Sequence, residues 1–170
     1  TFSENGDISS ISIYHNGGTG NVLLGVYYDA SGSPSSLLGV TASTGISSTA
    51  GWQTVSLISP ATVISDQTVW LSFVFQTNPG IRYVAGTPAR AQSADTWSAG
   101  IPTTFGAASF ANYKYSIYCT YTSGTSALLS VTPTSVSLDY GSGANGAFDI
   151  TSNTSWSITD NADWLDVTPV

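Results

Sequence analysis

The chain has 170 residues, of which 41% are hydrophobic and only 8% charged, against about 25% charged in ordinary soluble domains. Its net charge is −7, and Arg82, Arg90 and Lys114 are its three basic residues. So few cations exclude phosphate neutralisation, hence nucleic acid and anionic membrane surfaces, and favour a neutral partner such as a polysaccharide.

Cys119 is the sole cysteine, which excludes an intrachain disulfide and a cysteine metal site. Sharing parity with Tyr115 and Ile117, it reads as a small buried hydrophobe. No apolar run is long enough to span a membrane as a helix. The chain opens on Thr and lacks Met, which reads as a piece cut from a longer protein.

In chain order, "ISSISIYHN", "NVLLGVYYD", "GWQTVSLI", "QTVWLSFVFQ", "GIRYVAG" and "NYKYSIYCTYT" alternate as strands do, with Gly, Pro, Asn and Ser between them. No window has helical periodicity. The spacing predicts an all-β fold, an antiparallel β-sandwich of jelly-roll type over residues 1–121. "HNGGTGN" predicts a hairpin turn and lacks the lysine and following helix of a phosphate loop. Residues 85–109 predict one long irregular loop carrying Trp97, Phe105, Arg90 and Asp95, and loops of that length are commonly functional.

Residues 122–127, "TSGTSA", read as a flexible linker. Before it lie three basic and five acidic residues, and after it five acidic and no basic ones, a shift that marks a domain boundary. Residues 128–170 contain "LSVTPTSVSL", "FDITSNTSWSI" and "ADWLDVTP" in that order and resemble the opening of a BACON domain, an Ig-like module of bacterial polysaccharide-degrading enzymes. The resemblance implies core positions for Trp156 and Trp164, with the last strands of the Ig-like domain absent. Residues 1–121, through "ISIYHNGGTGNVLLGVYYDASGSP", "AGWQTVSL", "VWLSFVFQ" and "YKYSIYCTYT", resemble the carbohydrate-binding modules of secreted bacterial glycoside hydrolases. That likeness implies a secreted protein with a covalently linked catalytic domain.

Catalysis has little to work with. A glycosidase needs two carboxyl groups across the scissile bond, but Glu4, Asp7, Asp29, Asp66 and Asp95 mostly fall in turns. His15, the only histidine, lies beside a turn and reads as a surface residue. A lyase could use tyrosine and arginine on uronate polymers, yet the chain reads as no enzyme. Asp29 with Ser31 and Ser33, or Asp7 with Glu4 and Asn5, could supply oxygens to a structural Ca²⁺. These are also ordinary turn residues.

The aromatics carry the functional expectation. Counting by twos, Trp52 shares the face of Thr54 and Ser56, and Trp70 that of Ser72 and Gln76. Tyr27 shares the face of Asp29, Tyr118 that of Ser116 and Thr120, and Tyr14 that of Ser12. Rings on a face that should meet water mark a binding surface. We therefore expect Trp52, Trp70, Trp97, Tyr27 and Tyr118 to stack on sugar rings, with Gln53, Gln76 and Arg82 bonding hydroxyls or acidic groups. If a further layer covers that face, the same rings are core, and a bulge would invert the parity of a strand. The expected ligand is a neutral β-1,4-glucan such as cellulose oligosaccharide or xyloglucan. The rival is a spacer or adhesive module that binds nothing small.

Overall fold

The computed structural model describes residues 1–124, 129–141, 143–152, 155–162, 164–165 and 167. They form two units, Thr1–Gly124 and Thr125–Val170.

In the first unit, β1 (Gly6–His15) lies between β5 (Gly51–Val63) and β9 (Ile117–Ser123), antiparallel to both. A second antiparallel sheet is built around β2 (Asn21–Asp29). It has β6 (Val69–Phe75) on one side, and β3 (Pro34–Val40) and the short β4 (Thr44–Gly45) on the other. The two sheets make the expected all-β sandwich. β7 (Tyr83–Gln92) and β8 (Ser109–Tyr115) pair as a separate ribbon.

The core is what period-two alternation dictates. Ile8, Ile11 and Ile13 of β1 meet Val22, Leu24 and Val26 of β2, with Val55, Leu57, Ala61 and Val63 of β5 beside them. Each fully buried Val, Leu or Ile contributes about 1.5–3 kcal/mol, so the two central strands hold the sandwich together. Ile8 and Ile11 are three residues apart yet share a face because the pairing of β1 shifts between Ile8 and Ser10. Against β9 the bulge absorbs one residue of β1 and restores the parity, while against β5 the extra residues lie in β5. Cys119 is half-buried on the core face of β9, packed against this cluster.

Several sequence expectations need correction. "HNGGTGN" is no hairpin turn, since β1 and β2 belong to different sheets; it carries the chain across the sandwich with Gly17 and Gly20 at positive φ. The run "NYKYSIYCTYT" is two strands, because at Ser116 the chain leaves β7 for β1. The Ser116 N–H donates to Arg82 O, and its carbonyl accepts from Tyr14 N–H. Residues 85–92, expected in a loop, complete β7, which leaves an irregular segment of 93–108. That segment lies over the outer face of β2. Gly25 makes room for it, since a Cβ there would stand 2.8 Å from Ser72 Oγ and 3.1 Å from Ile101.

Thr122 and Ser123, from the expected linker, continue β9; residues 125–127 lie outside the described residues. In the second unit β10 (Leu129–Thr132) pairs antiparallel with β11 (Asp149–Ser152). None of its described residues is buried. Trp156 and Trp164, expected in a core, are 42% and 81% exposed. The physical reason is that two four-residue strands bury too little to close a core.

Candidate functional site

The outer face of the β5–β1–β9 sheet carries an aromatic cluster. Tyr14 and Trp52 are directly opposed across β1 and β5, while Ser12 stands opposite both Thr54 and Tyr118. Directly opposed side chains on one face pack together. The Trp52 ring meets Tyr14 edge-on at 5.6 Å and 87°, and Tyr118 at 5.0 Å and 61°. Trp52 is 51% exposed and Tyr118 48%; Tyr14 is half-buried between its neighbours.

Beyond the rings the face is lined with hydroxyls. Ser12 is fully buried and shares a 2.7 Å hydrogen bond with Thr54. Thr54, Ser56 and Thr120 are open to solvent. None of these side chains is ionised at neutral pH. The surface is therefore an exposed indole flanked by two phenols, continued by uncharged hydroxyls.

Gln53, expected beside Trp52, points the other way. It belongs to the inward parity of Val55 and Leu57. Its Nε2 donates to Gly45 O at 2.8 Å, and its Oε1 accepts from Ser47 N–H at 3.0 Å. His15, expected at the surface, is 1% exposed. Its Nδ1 accepts from Gly17 N–H at 3.1 Å, which leaves the proton on Nε2 to donate to Gln53 Oε1 at 2.9 Å. The histidine and glutamine thus anchor the turns around β4, and neither nitrogen of His15 is free to act as a base.

Trp70 and Tyr27 are cross-strand partners on the outer face of the other sheet. The segment 93–108 covers Tyr27, which is 1% exposed, donates its hydroxyl to Pro102 O at 2.6 Å and meets Phe105 edge-on at 5.2 Å. Burial, with the Asp95 carboxylate adding to it, pushes its phenol up to about 12. Buried in this way, Tyr27 has no ring face to offer a sugar. Trp70 is half-buried, donates Nε1–H to Asp29 Oδ1 at 2.6 Å and meets Phe110 at 6.4 Å.

No protein family, curated protein or solved structure matches this chain.

The remaining candidates are scattered. Trp97 opens a 3-10 turn, Trp97–Ala99, and is half-buried. Gln76, just past β6, accepts from both the backbone and side-chain nitrogens of Asn21 at 3.1 Å. Arg82 is exposed at the approach to β7. The structure joins Trp52 to Tyr118 on one face and Trp70 to Tyr27 on the opposite face. Tyr14 completes the first pair, and its parity with Ser12 was its only signal in the sequence.

Two aspartates, Asp29 and Asp7, are engaged within the fold. Asp29 Oδ2 accepts from Gly32 N–H at 3.0 Å. That bond, then the one from Trp70, holds its carboxyl below the usual aspartate range. Asp7 Oδ1 accepts from Thr62 Oγ1 at 2.7 Å. Among the described residues no three His, Cys, Asp or Glu side chains gather as a metal-ligand set.

Proposed function

We propose that this chain is a non-catalytic polysaccharide-binding module whose contact surface is the outer face of the β5–β1–β9 sheet at Trp52, Tyr118 and Tyr14. The observation that carries the reading is a half-exposed indole held in place by two tyrosines and continued along the sheet face by hydroxyls. A pyranose has one face of C–H groups that stacks on such a ring, while its hydroxyls meet the two phenols and the Thr54 and Ser56 hydroxyls. Because the tyrosines stand edge-on to the indole, one sugar ring stacks and its neighbours bond at the rim. This favours single β-1,4-glucan chains, cello-oligosaccharide or xyloglucan, over a crystalline surface, which would call for coplanar rings. In the parent protein the module would tether a linked glycoside hydrolase to plant cell-wall glucan outside a bacterial cell.

The same ring angles favour a second reading, in which the cluster is cross-strand packing in a spacer domain. Calorimetry of the chain with cellohexaose and with xyloglucan separates the two. Saturable binding that Trp52→Ala abolishes supports the module. Absence of heat with either glucan, together with a large loss of stability in Trp52→Ala, supports the spacer.

A further inference from the structure

We infer that a cleft between the β7–β8 ribbon and the edge of β6 is a second, separate ligand site, which takes a uronic acid residue of an acidic polysaccharide. β6 pairs with β2 alone among the described strands, so its other edge faces outward. The ribbon stands beside that edge, with Phe110 against Trp70 at 6.4 Å and Tyr115 against Phe73 at 5.1 Å. Between them lies a cleft of about 490 Å³, within the range of small-molecule sites. Residues of both parities of β6 line it, including Trp70, Ser72 and Phe73, opposite Arg90 and Tyr113.

Buried polar atoms in folded proteins nearly always have partners. Three buried side-chain atoms among the described residues lack one: Gln67 Nε2, Ser72 Oγ and Arg90 Nε. The last two belong to residues lining this cleft. Arg90 is held in place, its guanidinium 5.5 Å over the Tyr113 ring and its Nη1 donating to Gln92 Oε1. The Nε–H and Nη2–H remain side by side on the opposite edge, the pair that matches the two oxygens of a carboxylate. Among the described residues no carboxylate forms an ion pair with Arg90; Asp95 lines the same cleft beside the Tyr27 phenol.

A uronic acid residue supplies what each wall lacks. Its carboxylate fits the Arg90 edge, a ring hydroxyl fits Ser72 Oγ, and its C–H face fits the aromatic walls. A neutral hexose has no oxyanion for the arginine, and a small inorganic anion has no ring for Trp70. None of Trp52, Tyr14 and Tyr118 lines this cleft, so it stands or falls independently of the glucan surface.

The test is an NMR titration of the whole chain with trigalacturonate, following the tryptophan indole and arginine Nε–H resonances, with cellotriose and benzoate as comparators. Saturable shifts of Trp70 and Arg90 are expected with trigalacturonate and not with cellotriose, weakening as salt rises from ~20 to ~200 mM. Arg90→Lys, which keeps the charge and removes the paired donors, should weaken binding about tenfold and Ser72→Ala about threefold. Trp52→Ala should bind as the wild type. Unchanged affinity in a folded Arg90→Lys variant, shifts confined to Trp52, or equal binding of benzoate would each overturn the assignment.

Discussion

The indole nitrogen of Trp70 donates to Asp29 Oδ1 across 2.6 Å, a diagonal bond between neighbouring strands that ties β6 to the end of β2. The same carboxylate closes the turn at Gly32, so one side chain fixes both a strand pair and the turn that leads to β3.

Asp29→Asn should therefore cost about 1 kcal/mol at neutral pH. These two bonds lower the folded carboxyl below its ordinary value. Its contribution is thus fully present above the unfolded aspartate pKa, about 3.9, and is lost as pH falls through the folded value. Thermal melts at pH 7 and ~pH 3 should show the gap between wild type and Asp29→Asn shrinking in acid. A gap that stays constant would mean the charge has no part in it.

At the aromatic cluster, binding and stability should separate. Trp52 is half-exposed, so Trp52→Ala should remove only about 1 kcal/mol of stability yet weaken cellohexaose binding at least about tenfold. Tyr118→Phe, which keeps the ring and drops the hydroxyl, should weaken binding by about threefold with no change in melting temperature. Calorimetry and melting curves on the same preparations check both.

The sandwich was legible because its core follows simple alternation. Val22, Leu24 and Val26, then Val55 and Leu57, announce two buried strands, and Trp52 falls on the open face that parity assigns to it. Parity could not say what lies over a face. Trp70 and Tyr27 sit on the outer side of their sheet as counted, but Ile101, Pro102 and Phe105, from a distant segment, come down on it. Gln53 was misassigned by proximity alone, since a neighbour in sequence along a strand points to the opposite face. The break at Ser116 is invisible because both halves of the run are equally good strands that pair with different partners.

Gln53 carries a prediction of its own. It satisfies His15 Nε2, Ser47 N–H and Gly45 O together. Gln53→Ala strands these groups and should cost about 2–3 kcal/mol, whereas Gln53→Glu, which keeps the acceptors and loses the amide donor, should cost less. Urea denaturation of the two variants gives the comparison.

Gly25 should tolerate no side chain without moving the covering segment, because Ser72 and Ile101 occupy the space. Gly25→Val is expected to lift residues 93–108 from the sheet, exposing Tyr27 while the sandwich core persists. Limited proteolysis should then cut within 93–108 several times faster than in the wild type, with far-ultraviolet circular dichroism preserved.

The bulge between Ile8 and Ser10 has a consequence for alignment. A face of repeated serines and threonines looks much the same after a slide of two residues, so its side chains discriminate poorly among alignments. The central strand, however, carries its kink at one place against both neighbours, and a slide would set that kink against the wrong residues on either side. The irregularity acts as a keyway. Without it, a two-residue slip of β5 would carry Trp52 about 7 Å along from Tyr14, and three rings that now touch would be strewn along the sheet.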